Sequence, residues 1–298
     1  MQSDSSIKGA TLKKDIVTPL IKCAIVLYKQ RPEQAKSLSS LLEICRCDTS
    51  VADRIDIFIQ DNSPEAQPPV FDEDSPAIEY HHAPENPGLA AAYNKALRLA
   101  NDREIPWLLL LDQDTVLDRR FLLQLLNAVQ NETTADICSF VPELVRDGRV
   151  CSPHTVRRGS YSPLPLGFSG FADNPLVPCN SASCVKVQSL IAIDGFPEEY
   201  WLDFLDFIVF HRLQLAGGRV YVLDSRLEHS LSLLNLEAEM SVARYSNLLK
   251  AEWMFIRETG LRGGPLIHRL RLLKRALRHA LKLNNIGYAS ETLRAVLK

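Results

Sequence analysis

Short apolar runs recur along the first half of the chain, each closed by polar or turn-forming residues. Cys23–Tyr28, Ile55–Gln60, Ile78–His81, Leu108–Leu111 and Ile137–Val141 have the length of buried strands and fall far short of a membrane span. Between them the spacing is helical. Pro32 to Leu42 reads as one helix, and Asn86-Pro87-Gly88 opens another that runs to about Ala100. Asn86 suits its N-cap and Pro87 its first helical position. Asp118 caps a third helix that runs through Val129. Asp61-Asn62-Ser63-Pro64 is a turn and Ala66–Ser75 a loop rich in proline and acids. Strands alternating with helices predict an α/β fold: a Rossmann-like, mostly parallel central sheet flanked by helices.

The second half reads differently. Val150–Pro178 is rich in Ser, Pro, Gly and Arg and has little periodicity, which predicts loops and short antiparallel pieces over one rim of the sheet. Val220–Leu223 is a further strand and Ser241–Glu258 a helix. Arg262–Lys282 holds Arg262, Arg269, Arg271, Lys274, Arg275, Arg278 and Lys282 without an acid, while Leu266, Leu270, Leu273, Leu277 and Leu281 recur at helical spacing. The chain therefore divides into an N-terminal extension (1–20), a main domain (21–232) and a C-terminal helical extension (233–298).

The 298 residues, 46% of them hydrophobic, suffice for one large core, and a net charge of −2 excludes nucleic acid as a global partner. The seven cysteines are scattered without zinc-like spacing, which fits a reduced, cytoplasmic protein. Met1–Lys22 has no long apolar core, so no signal peptide is expected there.

The chemistry concentrates where strands end. Leu108–Thr115 runs from four leucines into Asp112-Gln113-Asp114. Ligands of open α/β sheets bind beyond the carboxyl ends of the strands, so both carboxylates stand where a hard divalent cation could be held. The same two acids could equally cap a helix or sit in a solvated turn. Asp61-Asn62 ends the second strand at the same rim, available to a base or ribose or simply to its own turn. Glu85–Asn94 is a helix start dominated by small residues, with Asn86 and Asn94 as its amides. Gly195–Asp206 sets Asp203 and Asp206 among large apolar groups, ahead of Arg212. If Asp203–Arg212 is helical, the two acids share a face. A carboxylate in an apolar pocket has a raised proton affinity and can act as a base; the alternative is a capping Asp and an Asp paired with Arg212.

Together these residues resemble the inverting glycosyltransferases of family 2, which have the GT-A fold. The resemblance runs from about Cys23 to Ser230. Asp61-Asn62-Ser63 matches the family's strand-ending acid motif, Asn86-Pro87-Gly88 with Ala92-Tyr93-Asn94 its small-residue helix, and Asp112-Gln113-Asp114 its Asp-x-Asp motif. Gly195-Phe196 followed by Trp201–Asp206 looks like the rhamnosyltransferase branch, where the second Asp is the catalytic base. Ile208 departs from that branch, which usually has an acid there; Arg212 is retained.

The resemblance implies a nucleotide-sugar half at about 21–118 and an acceptor half at about 119–232. It implies a nucleotide-sugar site of Tyr28, Asp61, Asn62, Asn86, Gly88, Asn94, Asp112 and Gln113. The metal site it implies is Asp112, Asp114 and His229 with Mn²⁺ or Mg²⁺, the base is Asp206, and Trp201, Asp203 and Arg212 face the acceptor. The expected donor is dTDP-rhamnose or a UDP-sugar, and the expected acceptor a saccharide or polyprenyl-linked saccharide in surface polysaccharide synthesis. A nucleotidyltransferase would need a basic Gly-rich loop near the first strand, and Lys29-Gln30-Arg31 has no glycine. A non-catalytic nucleotide-sugar or glycan-binding module on the same fold is the other reading. The basic 262–282 helix could lie on an anionic membrane from the cytoplasmic side. Packing of its Leu face on the domain or on another subunit is the simpler account, because leucine stripes are ordinary core features.

Overall fold

The computed structural model describes residues 18–68, 78–132, 134–157, 160–229, 240–260, 263–281 and 285–297. The N-terminal extension, most of the 66–75 loop, and Arg262 and Lys282 of the basic segment lie outside the described residues, wholly or nearly so.

Nine strands form the main sheet. In chain order they are β1 (Ile21–Leu27), β2 (Ile55–Asp61), β3 (Ile78–His82), β4 (Trp107–Asp112), β5 (Ile137–Arg146), β6 (Arg149–Ser152), β9 (Gly170–Phe171), β11 (Ser183–Lys186) and β12 (Arg219–Glu228). Their spatial order is β3-β2-β1-β4-β11-β5-β12-β9, with β6 on β5. β1 pairs in parallel with β2 and β4, β2 with β3, and β5 with β12. β11 enters antiparallel between β4 and β5. The sheet is thus mostly parallel, and Asp61, Asp112 and the residue after β12, His229, all come to its carboxyl rim.

Helices cover both faces: α1 (Lys36–Cys47), the single turn α2 (Thr49–Ala52), α3 (Gly88–Asp102), α4 (Arg119–Gln130), α5 (Val187–Ile191), α6 (Leu205–Leu215) and α7 (Val242–Thr259). Strand side chains alternate between the faces. From β1, Ile21, Cys23, Ile25 and Leu27 join a core with Leu38, Leu41, Phe121 and Leu125 of α1 and α4. Ala24 and Val26 join the opposite core with Tyr93, Ala96, Val209 and Phe210 of α3 and α6. The small residues of α3 (Ala90, Ala92, Ala96, Ala100) are buried, which lets that helix sit close on the sheet.

The 150–178 region forms short antiparallel strands, as expected. β7 (His154–Arg157) pairs with β8 (Ser160–Pro163) and with β10 (Leu176–Val177) in a second small sheet. Two further helices, α8 (Gly264–Leu281) and α9 (Ile286–Leu297), pack with α7 around Tyr245, Leu249, Leu272 and Tyr288. No described helix is long and apolar enough to cross a membrane.

Four local expectations are corrected. Pro32–Gln34 is a separate 3₁₀ turn, and α1 starts at Lys36 and runs to Cys47. Asn86 does not cap α3: it stands at φ +48°, and Pro87 takes the cap position with no side-chain bond. Asp203 is not helical, because Phe204 at φ +64° interrupts the chain and α6 starts after it. The Leu stripe of α8 does not pack on the domain: Leu266, Leu270, Leu273, Leu277 and Leu281 are exposed, and His268, Leu272, Ala276 and His279 face inward instead.

Candidate active site

The β4 exit carries the paired acids. Asp112 and Asp114 keep partial exposure, and each places an oxygen within 4.8 Å of the other's and of an imidazole nitrogen of His229. His229 is 114 residues away in sequence from Thr115. An antiparallel bridge between those two residues brings it there, and its amide donates to the Val145 carbonyl at 3.0 Å. The Thr115 hydroxyl lies 3.3 Å from His229 Nδ1 and donates to Ser181 Oγ at 3.0 Å, and Ser181 donates to Asp112 Oδ2 at 2.5 Å. Thr115 and Ser181 thus orient two members of the cluster. Burial, then the Asp112 charge, pushes the Asp114 carboxyl above its ordinary range, and His229 opposes the shift.

Asp206 occupies the first turn of α6 and accepts the Phe207 amide at 2.9 Å. It is deeply set yet keeps partial exposure. Burial pushes its proton affinity up to about 7, against the Phe207 hydrogen bond and with help from the Asp112 and Asp203 charges. Asp203 is raised as well, by burial, with Arg244 at 3.9 Å opposing. Tyr161 of β8 meets Phe207 edge-on at 5.2 Å, so the small antiparallel sheet adjoins the Asp206 turn.

The residues expected on the nucleotide side divide by what they bond. Tyr28, exposed just past β1, donates its amide to Gln113 Oε1 at 3.0 Å. Asp61 is buried, with Oδ1 accepting the Ser63 amide and Oδ2 the Gln67 amide and the Tyr80 hydroxyl. Burial alone would raise its proton affinity, but those hydrogen bonds outweigh it and hold the carboxyl below the usual range. Asn62 is buried between Gln60 Nε2 and the Gly88 carbonyl. Asn86 and Gly88 meet Trp201: its indole donates to the Asn86 carbonyl at 2.9 Å and its carbonyl accepts the Leu89 amide at 2.8 Å. A Cβ on Gly88, which stands at φ +91°, would lie 2.3 Å from the Trp201 carbonyl oxygen, so only glycine fits. Asn94 clamps the backbone of Phe196, donating to its carbonyl at 2.7 Å and accepting its amide at 2.8 Å.

Arg212 is engaged too, but with no Asp. It bonds Glu258 of α7 at 2.8 Å and approaches Glu199 at 4.0 Å. Gly88, Asn94, Trp201 and Arg212 are thus tied into the fold, whereas Asp112, Asp114, His229 and Asp206 gather with their charge largely uncompensated. Ile208, where an acid was expected, is fully buried in the core behind α6. Sequence reasoning missed Thr115 and Ser181. Thr115 could have been found as the residue following the paired acids. Ser181 carries no local signal.

The model of "Glycosyl transferase family 2" matches residues 24–185, more than half of the chain. The chain belongs to this family. It is a glycosyltransferase, and its sheet is that of the GT-A fold. No curated protein matches it in sequence. Among solved structures it is similar to residues 1–349 of TarS from S. aureus, with 13% identity and a TM-score of 0.50, over 92% of this chain and 90% of that one. The same fragment in complex with UDP-GlcNAc matches at 12% and 0.50 over the same shares. The mannosyltransferase PcManGT from Pyrobaculum calidifontis, in complex with GDP-Man and Mn²⁺, matches at 16% and 0.48, over 94% of this chain and 75% of that one. At such identities the likeness to TarS speaks for the fold of this glycosyltransferase and leaves its substrates to the site itself.

Proposed function

We propose that this glycosyltransferase moves a sugar, rhamnose in the first instance, from a nucleoside diphosphate to a hydroxyl of a saccharide or lipid-linked saccharide acceptor, inverting the anomeric carbon. The observation that carries the reading is the gathering of three acids and one histidine at the carboxyl rim, one of the acids with a proton affinity near neutrality. Asp206 in its ionised form takes the proton of the acceptor hydroxyl as that oxygen attacks the anomeric carbon, and the C–O bond to the diphosphate breaks on the opposite face. One base and no second nucleophile give inversion.

Two carboxylates and an imidazole fit a divalent cation, and the nitrogen donor favours Mn²⁺ over Mg²⁺. Asp112, Asp114 and His229 would hold it, and when bound it supplies Lewis-acid stabilisation of the departing diphosphate. Ser181 and Thr115 keep Asp112 and His229 in position for that task. The β2 rim at Asp61 and Asn62, beside Tyr28 and Gln113, forms the floor on which the nucleotide base and ribose rest. The preference for rhamnose rests on the resemblance at Gly195-Phe196 and Trp201–Asp206, and the surface-polysaccharide setting on that same branch. The nucleoside diphosphate sugar as donor class accords with family membership.

The test is a thermal-shift series with dTDP, UDP and GDP, each with and without Mn²⁺ or Mg²⁺, followed by transfer assays with the matching sugar donors. Ligands of the folded state raise the melting temperature by mass action. A metal-dependent shift with dTDP and transfer from dTDP-rhamnose are expected. A shift with UDP or GDP alone reassigns the donor, and no shift with any nucleotide overturns the reading.

A further inference from the structure

α8 has two apolar faces. At about 100° per residue, Leu266, Leu270, Leu273, Leu277 and Leu281 fall within an arc of roughly 80°. His268, Leu272, Ala276 and His279 form a separate arc that packs inward on α7 and α9. The first arc is the more apolar and the less covered: Leu266, Leu270, Leu277 and Leu281 are between 60 and 74% exposed. Cations border it. Lys274, Arg278 and Arg271 follow one edge of the leucines and Arg269 the other, and α8 contains no acid. A recess of about 480 Å³ beside the leucines is lined by Arg271, Lys274, Arg275, Leu277, Arg278 and Leu281. Of these cations, Arg275 is held inward by Glu252 at 2.7 Å.

We infer that this face of α8 is a docking surface for an anionic bilayer. Leucines enter the headgroup boundary and the flanking Lys and Arg side chains meet lipid phosphates, the arrangement of a helix lying in the membrane plane. A second copy of the chain is the poorer occupant. A two-fold contact through the leucine arc would set Arg271, Lys274 and Arg278 of one copy close to the same cations of the other. An anionic surface answers the leucines and the charge at once. The 18-residue helix lays down a footprint of roughly 27 Å. It is also coupled to the catalytic region. α8 packs on α7, whose Ala251, Phe255 and Ile256 share a core with Ile208 and Val209 of α6, and Glu258 of α7 holds Arg212 of α6. Docking of α8 would therefore fix how the Asp206 rim is oriented relative to the membrane.

The experiment is co-sedimentation of the full chain with phosphatidylglycerol-containing vesicles and with pure phosphatidylcholine vesicles at low salt. Binding to the first and not to the second is expected. Lys274→Gln/Arg278→Gln should weaken it roughly 25-fold, since each basic group near an anionic surface contributes about fivefold. Leu270→Ser/Leu277→Ser should weaken it roughly tenfold or more by removing apolar area from the bilayer. Both pairs are surface changes, and unchanged melting temperature and nucleotide-induced thermal shift verify that each variant is folded. No preference for anionic vesicles, or binding indifferent to both pairs, overturns the proposal. A dimer in solution that Leu270→Ser/Leu277→Ser dissociates also overturns it, because a second copy then covers the leucines. Vesicle binding requires no sugar donor, so its failure is distinct from failure of the proposed transferase reaction.

Discussion

The two ends of the same strands treat charge in opposite ways. At the amino end, Lys22 of β1 is buried against Asp56 of β2. Arg103 closes on Asp56 at 2.8 Å and on Glu79 at 2.6 Å, so two cations answer two acids. At the carboxyl end, Asp112 and Asp114 meet one histidine, the Asp112 charge reaches Asp206, and among the described residues none of the three acids forms an ion pair with Lys or Arg. Buried charge persists only when paired or when the site is made for a charged ligand. The amino end is therefore complete in itself, while the acids of the carboxyl end stand without cationic side chains to answer them, as the proposed cation and nucleotide would require. Asp61 shows that position at the rim does not decide this. It too ends a parallel strand there, yet its hydrogen bonds hold its proton affinity down while burial and neighbouring acids hold that of Asp206 up.

Asp206→Asn breaks the comparison most sharply. If Asp206 is the base, turnover falls by about 10²–10⁴ while the nucleotide-dependent thermal shift survives. kcat/KM of the unaltered enzyme rises with pH through about 7, as the carboxyl ionises, and the asparagine variant loses that limb. Turnover near the original level would remove Asp206 from the chemistry. The stability consequence has a definite sign. An acid whose proton affinity is raised on folding makes the folded state bind more protons between its unfolded value and about pH 7, so stability falls as pH rises through that window. The asparagine variant therefore melts no lower than the unaltered protein at neutral pH.

Asp56→Asn probes the opposite end. It leaves Lys22 buried without its carboxylate, and the expected loss is about 3–5 kcal/mol of stability with nucleotide affinity unchanged, read by denaturant melts and the thermal-shift series. Asp114→Asn gives the inverse pattern. Metal-dependent nucleotide binding falls roughly 100-fold, whereas stability without metal holds or rises, because burial and the Asp112 charge already disfavour that carboxylate. A variant at Asp114 that unfolds the protein would make the cluster a structural feature like the one at Lys22.

How far the sequence could be read follows the range of the interactions. β1 to β5 and α3, α4 and α7 lie close to their expected positions, because apolar spacing and caps such as Asp118 and Ser241 act locally. The paired acids were legible as residue types at a strand end, and His229 only through the family resemblance, since the expected strand stopped at Leu223 whereas β12 runs on to Glu228. What stayed hidden is set by pairing across long sequence separations. β11 inserts antiparallel between β4 and β5, and that insertion alone carries Ser181 to Asp112. The Phe204 kink that removes Asp203 from α6 depends on the aromatic contacts of Phe204 with Phe207 and Phe255, which no local pattern announces. Leucine spacing located α8 but not which of its faces stays uncovered, since a second face of His268, Leu272, Ala276 and His279 also satisfies helical spacing.

The smallest expected effect tests the distinction between a motif residue that braces and one that binds. Asn94 matches the family pattern as well as Asp112 does, yet both ends of its amide close on the Phe196 backbone, and Gly195 is so near that a Cβ there would lie 2.6 Å from Asn94 Oδ1. Phe196 is buried and meets the Tyr93 ring at a tilt, 5.2 Å between centroids, so the clamp fixes the chain that leads into Trp201 and Asp206. Asn94→Ala leaves the Phe196 amide and carbonyl without partners and should cost about 1–3 kcal/mol of stability, with little change in nucleotide affinity. Asn94→Asp separates the roles further: the carboxylate can still accept the Phe196 amide but presents no donor to its carbonyl. A brace predicts that both variants lower the melting temperature in step with the lost bonds. A fall in nucleotide affinity without a fall in melting temperature would place Asn94 with Asp112 among the residues that meet the donor.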